Sequence, residues 1–367
     1  MRRFLFAAIT SAALVACGGT SDSVNLQRSE HSVAVRSTAP SIAGQTAQLY
    51  VREIRPDSSD KPPVVVFVHG AGTPSEVSFD SKMDDYSWMR EVARAGFDVF
   101  SVSMTGYGGS TRPAPMANRC NIVSAQQAPY VSAPCPPTTT TPLTTMTSDW
   151  NDIGAVVDYV RQLRGVDRVS LVAWSQGGPR VTGYAALQPA KVHRIVVLAP
   201  AYNRTGTAVQ PNPLPTLNNG VMTVQSRNDF MANWDRQTVC AGQYDPAAAK
   251  QIFDEMLASD PVGATWGEGV RRAPSVPTWG FNQAAVANVR TPYLMIAGEH
   301  DVQVPPTRVR ELYEDLGSPS KVLLDLGCSS HNAMWEKNRA ILFDATVQFL
   351  RDGQVNGVSS GVVKAGY

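Results

Sequence analysis

The chain has 367 residues, of which 43% are hydrophobic and 17% are charged, and its formal net charge is +1. This length and composition suit one large globular domain, or one domain with an inserted lid. The near-zero charge gives no indication of nucleic acid or an anionic surface as a partner.

The N-terminus has the features of an export signal. Two arginines precede a short apolar run that is too short to span a bilayer, and small residues follow it. The run from Leu14 to Cys17 is similar to the lipobox of bacterial lipoproteins, in which the cysteine is lipidated and becomes the new N-terminus; a plain secretory signal with a chance cysteine is the alternative. We therefore expect a signal peptide over residues 1–16 and a lipid anchor at Cys17. The exported protein would be held on a bacterial membrane, facing the periplasm or the cell exterior, and residues 17–44 would form a polar tether and the first edge strand.

Export makes the four remaining cysteines candidates for disulfide bonds: Cys120, Cys135, Cys240 and Cys328. Four cysteines allow three pairings. We favour Cys120 with Cys135, since they bracket a proline-rich segment with no helical or strand period, which leaves Cys240 with Cys328. The spacings do not match a zinc site, and no metal or cofactor is expected.

The first part of the chain predicts strands. Alternating apolar residues over 32–36 and 47–54 predict antiparallel edge strands. Val64–Val68 is a continuous apolar run, as expected of a central parallel strand covered on both faces, and it ends in the turn His-Gly-Ala-Gly at 69–72. After a helix near Trp88 and another apolar strand, the proline- and threonine-rich stretch from 112 to 147 is expected to be a surface loop.

The middle of the chain continues the alternation of helix and strand. Apolar residues recur at helical spacing from Trp150 to Leu163, and Val169–Trp174 predicts a buried strand that leads directly to Ser175. Ala173 and Gly177 are small enough for a strand and a following helix to pass closely at a sharp turn. The sequence therefore predicts a mostly parallel sheet covered on both faces, with Ser175 at the apex of a turn.

The alternation breaks over residues 201–290, which we interpret as an inserted lid. Its clearest helix begins at Asp245, an N-cap residue followed by proline. The aromatic residues of this segment are expected mainly in the core of the lid, and the alternative is that they line a substrate pocket: Phe230, Trp234, Trp266, Trp279 and Phe281. At the other end of the domain, residues 354–367 are small and polar and are expected to be a flexible tail.

Two candidate catalytic residues follow the last predicted strands. A strand over 292–298 leads to Asp301, and a strand over 321–326 leads to His331. A serine hydroxyl needs a base to become nucleophilic, and the base needs a carboxylate to orient it. Because parallel strands gather active groups at their carboxyl ends, we expect Ser175, Asp301 and His331 to meet at one edge of the sheet.

The small-x-Ser-x-Gly turn, the His-Gly-x-Gly turn and the chain order serine, acid, histidine together resemble the α/β-hydrolase superfamily. The resemblance covers roughly residues 45–350, and the first glycine of the family's elbow is alanine here. It implies an α/β-hydrolase domain over 45–353 with a lid. It favours Asp301 over Glu299, because Gly-x-x-Asp-x-x-Val-Pro is similar to the family's acid turn. It also assigns the oxyanion hole to the backbone amides of Gln176 and Ala71, with His69 as a structural residue of its turn.

The activity that this resemblance implies is hydrolysis of a small carboxylic ester through an acyl-enzyme on Ser175, with His331 as the base and Asp301 as the orienting acid. The remaining histidines, His31, His193 and His300, are set aside by their positions. An aminopeptidase or an acyltransferase of the same fold would keep these three residues. A surface lipoprotein that binds a ligand without catalysis is the alternative from another class of protein.

Overall fold

The computed structural model of the protein describes residues 24–57 and 61–367, so the predicted signal peptide and Cys17 lie outside the described residues. The strands are, in chain order, β1 (Leu26–Arg36), β2 (Thr46–Pro56), β3 (Val64–Val68), β4 (Asp98–Val102), β5 (Val169–Trp174), β6 (Val192–Leu198), β7 (Thr223–Gln225), β8 (Val270–Arg272), β9 (Tyr293–Gly298), β10 (Lys321–Leu326) and β11 (Gly361–Ala365). The helices are α1 (Ser75–Ser78), α2 (Trp88–Arg94), α3 (Met146–Arg164), α4 (Gly177–Leu187), α5 (Arg227–Asp235), α6 (Pro246–Ala258), α7 (Pro261–Ala264), α8 (Gln283–Val286), α9 (Pro306–Asp315) and α10 (Arg339–Asp352).

Nine of these strands form one mixed sheet in the order β1-β2-β4-β3-β5-β6-β9-β10-β11. The β1–β2 and β2–β4 pairs are antiparallel, and the other neighbouring pairs are parallel. All five residues of β3 are buried. Since successive side chains of a strand point to opposite faces, both faces of the sheet are covered. The predicted fold, a mostly parallel and doubly covered sheet, is confirmed.

The strand and helix predictions agree closely with the structure in the parallel part of the sheet. Strands β3, β5 and β10 have the predicted bounds, and α3 ends at Gly165, which adopts a left-handed conformation with φ 63°. A glycine at this position ends a helix without the steric cost that a Cβ would impose.

The prediction of a flexible tail over 354–367 was wrong for its last part. Residues Gly361–Ala365 form β11, which extends the sheet by pairing in parallel with β10. The prediction rested on the small and polar composition of the tail, which also contains two adjacent valines, Val362 and Val363. Val363 is buried, and the amide of Gly327 donates to the carbonyl of Ala365 at 2.8 Å. An open sheet edge gives such a short β-branched segment the hydrogen-bond partners that it lacks alone.

The segment between β6 and β9 contains four short helices and the two-stranded antiparallel sheet of β7 and β8. Asp245 caps α6 as predicted, since its carboxylate accepts from the amide of Ala247 at 2.8 Å. Four of the five aromatic residues singled out in this segment are buried: Phe230, Trp234, Trp266 and Phe281. Trp279 is half-buried. The aromatic side chains therefore lie largely within the core of the insertion.

Both favoured disulfide bonds are present. Cys120 is joined to Cys135 with 5.3 Å between their Cα atoms, and Cys240 is joined to Cys328 with 5.7 Å. The first closes a turn within the 112–147 loop, and the second ties the insertion to the loop that carries His331. In residues 24–57 and 61–367, no helix is long and apolar enough to cross a bilayer.

Candidate active site

Ser175 stands at the turn between β5 and α4, in a left-handed backbone conformation with φ 57°. A non-glycine residue in this region stores roughly 1–3 kcal/mol of strain, and hydrogen bonds hold it there. The Ser175 amide donates to the carbonyl of Leu198 at 2.9 Å, and its carbonyl accepts from the amide of Ala201 at 3.0 Å. A Cβ on Gly177 would lie 2.5 Å from the carbonyl oxygen of Val68, so the turn requires glycine at this position.

His331 and Asp301 form a buried hydrogen-bonded pair. His331 Nδ1 lies 2.7 Å from Asp301 Oδ2, and the side chains of both residues are nearly inaccessible to solvent. The other carboxylate oxygen of Asp301 accepts from the amides of Gln303 and Val304, each at 2.8 Å. Because the carboxylate is fixed from both sides, it holds the imidazole in one orientation, with Nδ1 carrying the proton and Nε2 available as a base.

Ser175 and His331 line the same small cavity, which has a volume of about 70 Å³. Its walls also include residues that follow or end strands of the sheet, namely Ala71, Gly72, Thr73, Trp174, Gln303 and Asn332. The insertion contributes Gln225, Phe230, Asn233 and Arg272. Among the described residues, no hydrogen bond joins the Ser175 hydroxyl to the His331 ring. Such contacts are often long in an unliganded site and tighten when substrate binds.

The turn at residues 69–72 lies directly against Ser175. A Cβ on Gly70 would stand 2.9 Å from Ser175 Cβ, so glycine is what allows this approach. The Gly70 carbonyl accepts from Arg180 Nη1 at 2.8 Å and from His69 Nδ1 at 2.7 Å. Because a trans peptide is planar, the amide of Ala71 points in the opposite direction from that carbonyl. Two donors behind the turn thus fix the direction of the Ala71 N–H group.

Gln176 supplies a second amide beside Ser175. It is the N-cap residue of α4, and the first amides of a helix have no carbonyl partner within the helix. The Gln176 side chain donates to the carbonyl of Ser275 at 3.0 Å, which anchors the residue to the insertion. The two amides that the resemblance assigned to an oxyanion hole therefore flank Ser175, from α4 and from the turn after β3.

His69 serves as a structural residue. Its Nδ1 donates to Gly70, and its Nε2 accepts from the amide of Met104 at 3.0 Å, so both ring nitrogens are occupied. Burial, together with the nearby Arg180 guanidinium, lowers the pKa of His69 well below its ordinary value. The ring stays neutral and has no free nitrogen for proton transfer.

Arg180 connects α4 to the turn at 69–72. It is completely buried, and its Nη1 donates to the carbonyls of His69 and Gly70 at 2.9 and 2.8 Å. Its Nε donates to Asp149 on α3 at 2.8 Å. Burial raises the pKa of the Asp149 carboxyl, while the charge of Arg180 opposes that rise. Sequence reasoning missed this pair, because the residues are 31 positions apart and neither occurs in a recognisable motif.

The loop that carries His331 depends on Glu336, which the sequence analysis also missed. This buried carboxylate accepts from the amide of Ser330 at 2.7 Å and from Trp234 Nε1 at 2.7 Å. Burial raises the pKa of the Glu336 carboxyl.

Glu299, the alternative to Asp301 as the orienting acid, accepts instead from the amide of Cys328 at 3.0 Å. Asp301 is therefore the carboxylate that contacts His331.

The other histidines lie away from the cavity. His31 on β1 is 2.7 Å from the Glu53 carboxylate, and His193 is part of β6. His300 lies 3.6 Å from the sulfur of Cys240. Within the part of the chain that the structure describes, no group of three or more histidine, cysteine or acidic residues could hold a metal ion.

Comparisons with known proteins agree with this architecture. A family model described as the alpha/beta hydrolase fold matches residues 63–338, and no curated protein matches the sequence significantly. A serine hydrolase from the hydrocarbon-degrading bacterium Cycloclasticus zankles is similar in structure, with a TM-score of 0.53 and 15% identity over 89% of this chain and 99% of that one. A carboxylesterase from Bacillus subtilis superposes with a TM-score of 0.54 and 14% identity, over 89% and 93% of the two chains. Naproxen esterase from Bacillus subtilis has a TM-score of 0.51 and 17% identity, over 89% and 92%. At these identities the similarity shows the fold alone.

Proposed function

Because the chain belongs to the α/β-hydrolase fold family, we propose that it is a serine hydrolase that cleaves small carboxylic esters. The observation that carries the proposal is the shared cavity of Ser175 and His331, with Asp301 hydrogen-bonded to the far side of the imidazole. The cavity is far smaller than the roughly 300–1,000 Å³ of usual ligand pockets. This size favours short acyl and alcohol groups.

In the proposed reaction, His331 Nε2 takes the proton of the Ser175 hydroxyl as the oxygen attacks the ester carbonyl. The tetrahedral intermediate collapses when the imidazolium gives its proton to the leaving alcohol. Water then enters and attacks the acyl carbon as His331 removes its proton. The imidazolium returns that proton to Ser175 Oγ when the bond to the acyl carbon breaks, and the carboxylic acid leaves. Throughout, the Asp301 carboxylate stabilises the imidazolium and stays ionised.

The amides of Gln176 and Ala71 would bind the oxygen that becomes negatively charged in each tetrahedral intermediate. Loss of one such donor typically costs about 2.7–4 kcal/mol of transition-state stabilisation. Their value depends on being fixed before the reaction begins. The α4 helix start and the two donors to Gly70 supply this preorganisation.

The proposal is tested with Ser175→Ala and p-nitrophenyl acetate. We expect kcat to fall by about six orders of magnitude, and labelling by a fluorophosphonate probe to disappear. Ser32→Ala, an exposed serine of β1, is the matched control and should keep both activities. Turnover by the Ser175 variant at the wild-type rate, or a wild-type protein that takes up no label, would refute the serine hydrolase proposal. The aminopeptidase alternative predicts that amino-acid amides are cleaved in preference to the ester. The acyltransferase alternative predicts that the acetyl group is transferred to an added acyl acceptor in preference to water.

We further propose that the enzyme works outside the cytoplasm, anchored through lipid on Cys17. The two disulfide bonds support export, because such bonds persist mainly in oxidising compartments. Metabolic labelling with a radioactive fatty acid should mark the wild-type protein and not Cys17→Ala. Equal labelling of the two proteins would contradict the anchor.

A further inference from the structure

The cavity contains an arginine that the proposed ester chemistry does not use. Arg272 ends β8, and because side chains alternate along a strand, its neighbour Arg271 points to the other side. Arg271 enters the interior of the insertion, where its Nε donates to the Asp260 carboxylate at 3.0 Å. Arg272 instead lines the cavity of Ser175. Its guanidinium donates to Gln225, another residue of the cavity wall.

Arg272 forms no ion pair among the described residues, although the Asp229 carboxylate lies near enough to act on its charge. Two buried arginines nearby, Arg180 and Arg271, pair with Asp149 and Asp260 respectively, whereas Arg272 is partly exposed. No ion pair involves Arg272 in the part of the chain that the structure describes, and its buried Nε atom has no hydrogen-bond partner there. Burial lowers the pKa of the Arg272 guanidinium. An arginine still stays protonated in proteins. The Asp229 carboxylate attracts this charge from a distance without forming an ion pair, so the guanidinium presents a positive charge to the cavity that no carboxylate contacts directly.

The guanidinium lies beside the reacting centre. A Cβ added to Gly72 would stand 2.2 Å from Arg272 Nη2 and 2.7 Å from its Nε, so glycine makes room for the cation. Gly72 directly follows Ala71, whose amide is the proposed oxyanion donor. A group on the substrate a few bonds from the scissile carbonyl would therefore reach Arg272.

We propose that Arg272 binds a carboxylate carried by the substrate, so that the preferred substrates are short esters that bear an acid group. The inference rests on the proposed function of this cavity and adds the substrate class. A planar guanidinium with an unused N–H matches the geometry of a carboxylate, and charge-assisted hydrogen bonds of this kind are strong in a partly desolvated site. The bound anion would supply the direct carboxylate contact that Arg272 lacks among the described residues.

The test compares matched anionic and neutral esters. Monoethyl succinate carries a carboxylate on the acyl side, and ethyl succinamate replaces it with an uncharged amide of the same size. Acetoxyacetate and acetoxyacetamide form the corresponding pair on the alcohol side. Acid release is followed in a pH-stat, and the readout is the ratio of kcat/KM between the members of each pair. This ratio does not depend on the fraction of active enzyme, so partial misfolding of a variant does not affect it.

We expect the wild type to prefer the anionic member of at least one pair by about tenfold to hundredfold, the range for a hydrogen bond to a charged group. Arg272→Met should bring the ratio close to one, and Arg272→Lys should keep part of it. Lys250→Met removes an exposed cation of α6 outside the cavity wall and should leave the ratio as in the wild type. The proposal is overturned if the wild type shows no preference, or if Arg272→Met lowers both rates equally, as loss of a third oxyanion donor would.

A binding measurement separates this inference from the proposed function. If the wild type hydrolyses neither p-nitrophenyl acetate nor any of these four esters, the esterase proposal fails, and calorimetry with Ser175→Ala then tests recognition alone. Tighter binding of monoethyl succinate than of ethyl succinamate, lost when Arg272→Met is added, supports anion recognition. Equal binding of the two esters refutes it.

Discussion

Replacement of Arg180 with methionine tests whether the turn at 69–72 is held in place from behind. The substitution removes the donor to the carbonyls of His69 and Gly70, and it also leaves the Asp149 carboxylate buried without its partner. Methionine has a similar length and no charge, so the packing of α4 is largely kept. The variant therefore combines an electrostatic defect in the core with a loss of support for the Ala71 amide.

The two effects have different magnitudes. Breaking a buried ion pair by removing one partner typically destabilises a protein by about 3–5 kcal/mol, because the remaining charge is unpaired. Removing both charges often restores most of that stability. For catalysis, complete loss of an oxyanion donor costs about 10²–10³-fold in kcat. His69 Nδ1 still donates to the Gly70 carbonyl, so we expect a smaller decrease of about 10–100-fold, with KM little changed.

The double variant Asp149→Asn/Arg180→Met separates the two effects. Urea unfolding measures stability, and kcat for p-nitrophenyl acetate at a temperature where every variant is folded measures catalysis. We expect the double variant to recover stability and to keep the decrease in kcat. Arg194→Met is a matched control, since Arg194 also donates to a backbone carbonyl, that of Leu350, but lies at the start of β6 and away from the cavity. It should leave kcat unaffected.

A double variant with wild-type kcat would refute this reasoning. Arg180 would then contribute only to the stability of the core, and the direction of the Ala71 amide would be set by His69 alone. A single variant with normal stability would also contradict it, since that result would mean that Asp149 is protonated or solvated when its partner is removed.

Two further predictions concern stability. Burial raises the pKa of Asp152 to about 7, so ionisation of the folded protein is costly and the free energy of unfolding should fall as pH rises from about 4 to 7. Each pH unit contributes about 1.4 kcal/mol while the folded carboxyl stays protonated. Because that carboxyl is half ionised at pH 7, Asp152→Asn should reduce the loss between pH 5 and 7, measured by urea unfolding, by about 2 kcal/mol; an equal loss in both proteins would show that another group titrates. Replacing Cys240 and Cys328 with serine should lower the free energy of unfolding by about 4–5 kcal/mol and also reduce kcat, because Cys328 precedes the loop of His331. The same change at Cys120 and Cys135 should lower it by about 3 kcal/mol and leave kcat intact. Equal kcat values in the two serine variants would indicate that the second disulfide does not position the histidine.

The sequence predicted those parts of the molecule that local patterns determine. Valine-rich runs such as Val64–Val68 can be stable only between two covering layers, so strand bounds in the parallel sheet followed directly from hydrophobicity. The turn at Ser175 also has a local signature, because its close backbone approach requires small residues at 173 and 177. Chain order and the rule that active groups gather at the carboxyl edge then indicated Asp301 and His331.

The parts that sequence reasoning missed depend on contacts between distant residues. Arg180 and Asp149, or Glu336 and Ser330, are ordinary charged or polar residues until the fold buries them together. Their spacing carries no signal, since many sequences could place a carboxylate there. The strand β11 was missed for a related reason, because its stability comes from the open edge of β10 and not from its own composition.

In the proposed enzyme, the reacting groups and the groups that select the substrate come from different parts of the chain. Ser175, the Ala71 amide and the His331–Asp301 pair follow strands of the central sheet, and buried contacts behind them fix their positions. Gln225 lies on β7 and Arg272 on β8, and these two strands pair with each other and belong to the insertion. Under the two proposals, the sheet edge supports the reaction and the insertion determines which ester enters. Substitutions in β7 and β8 should therefore alter the preference among substrates, whereas substitutions behind the sheet edge should lower kcat for all of them alike.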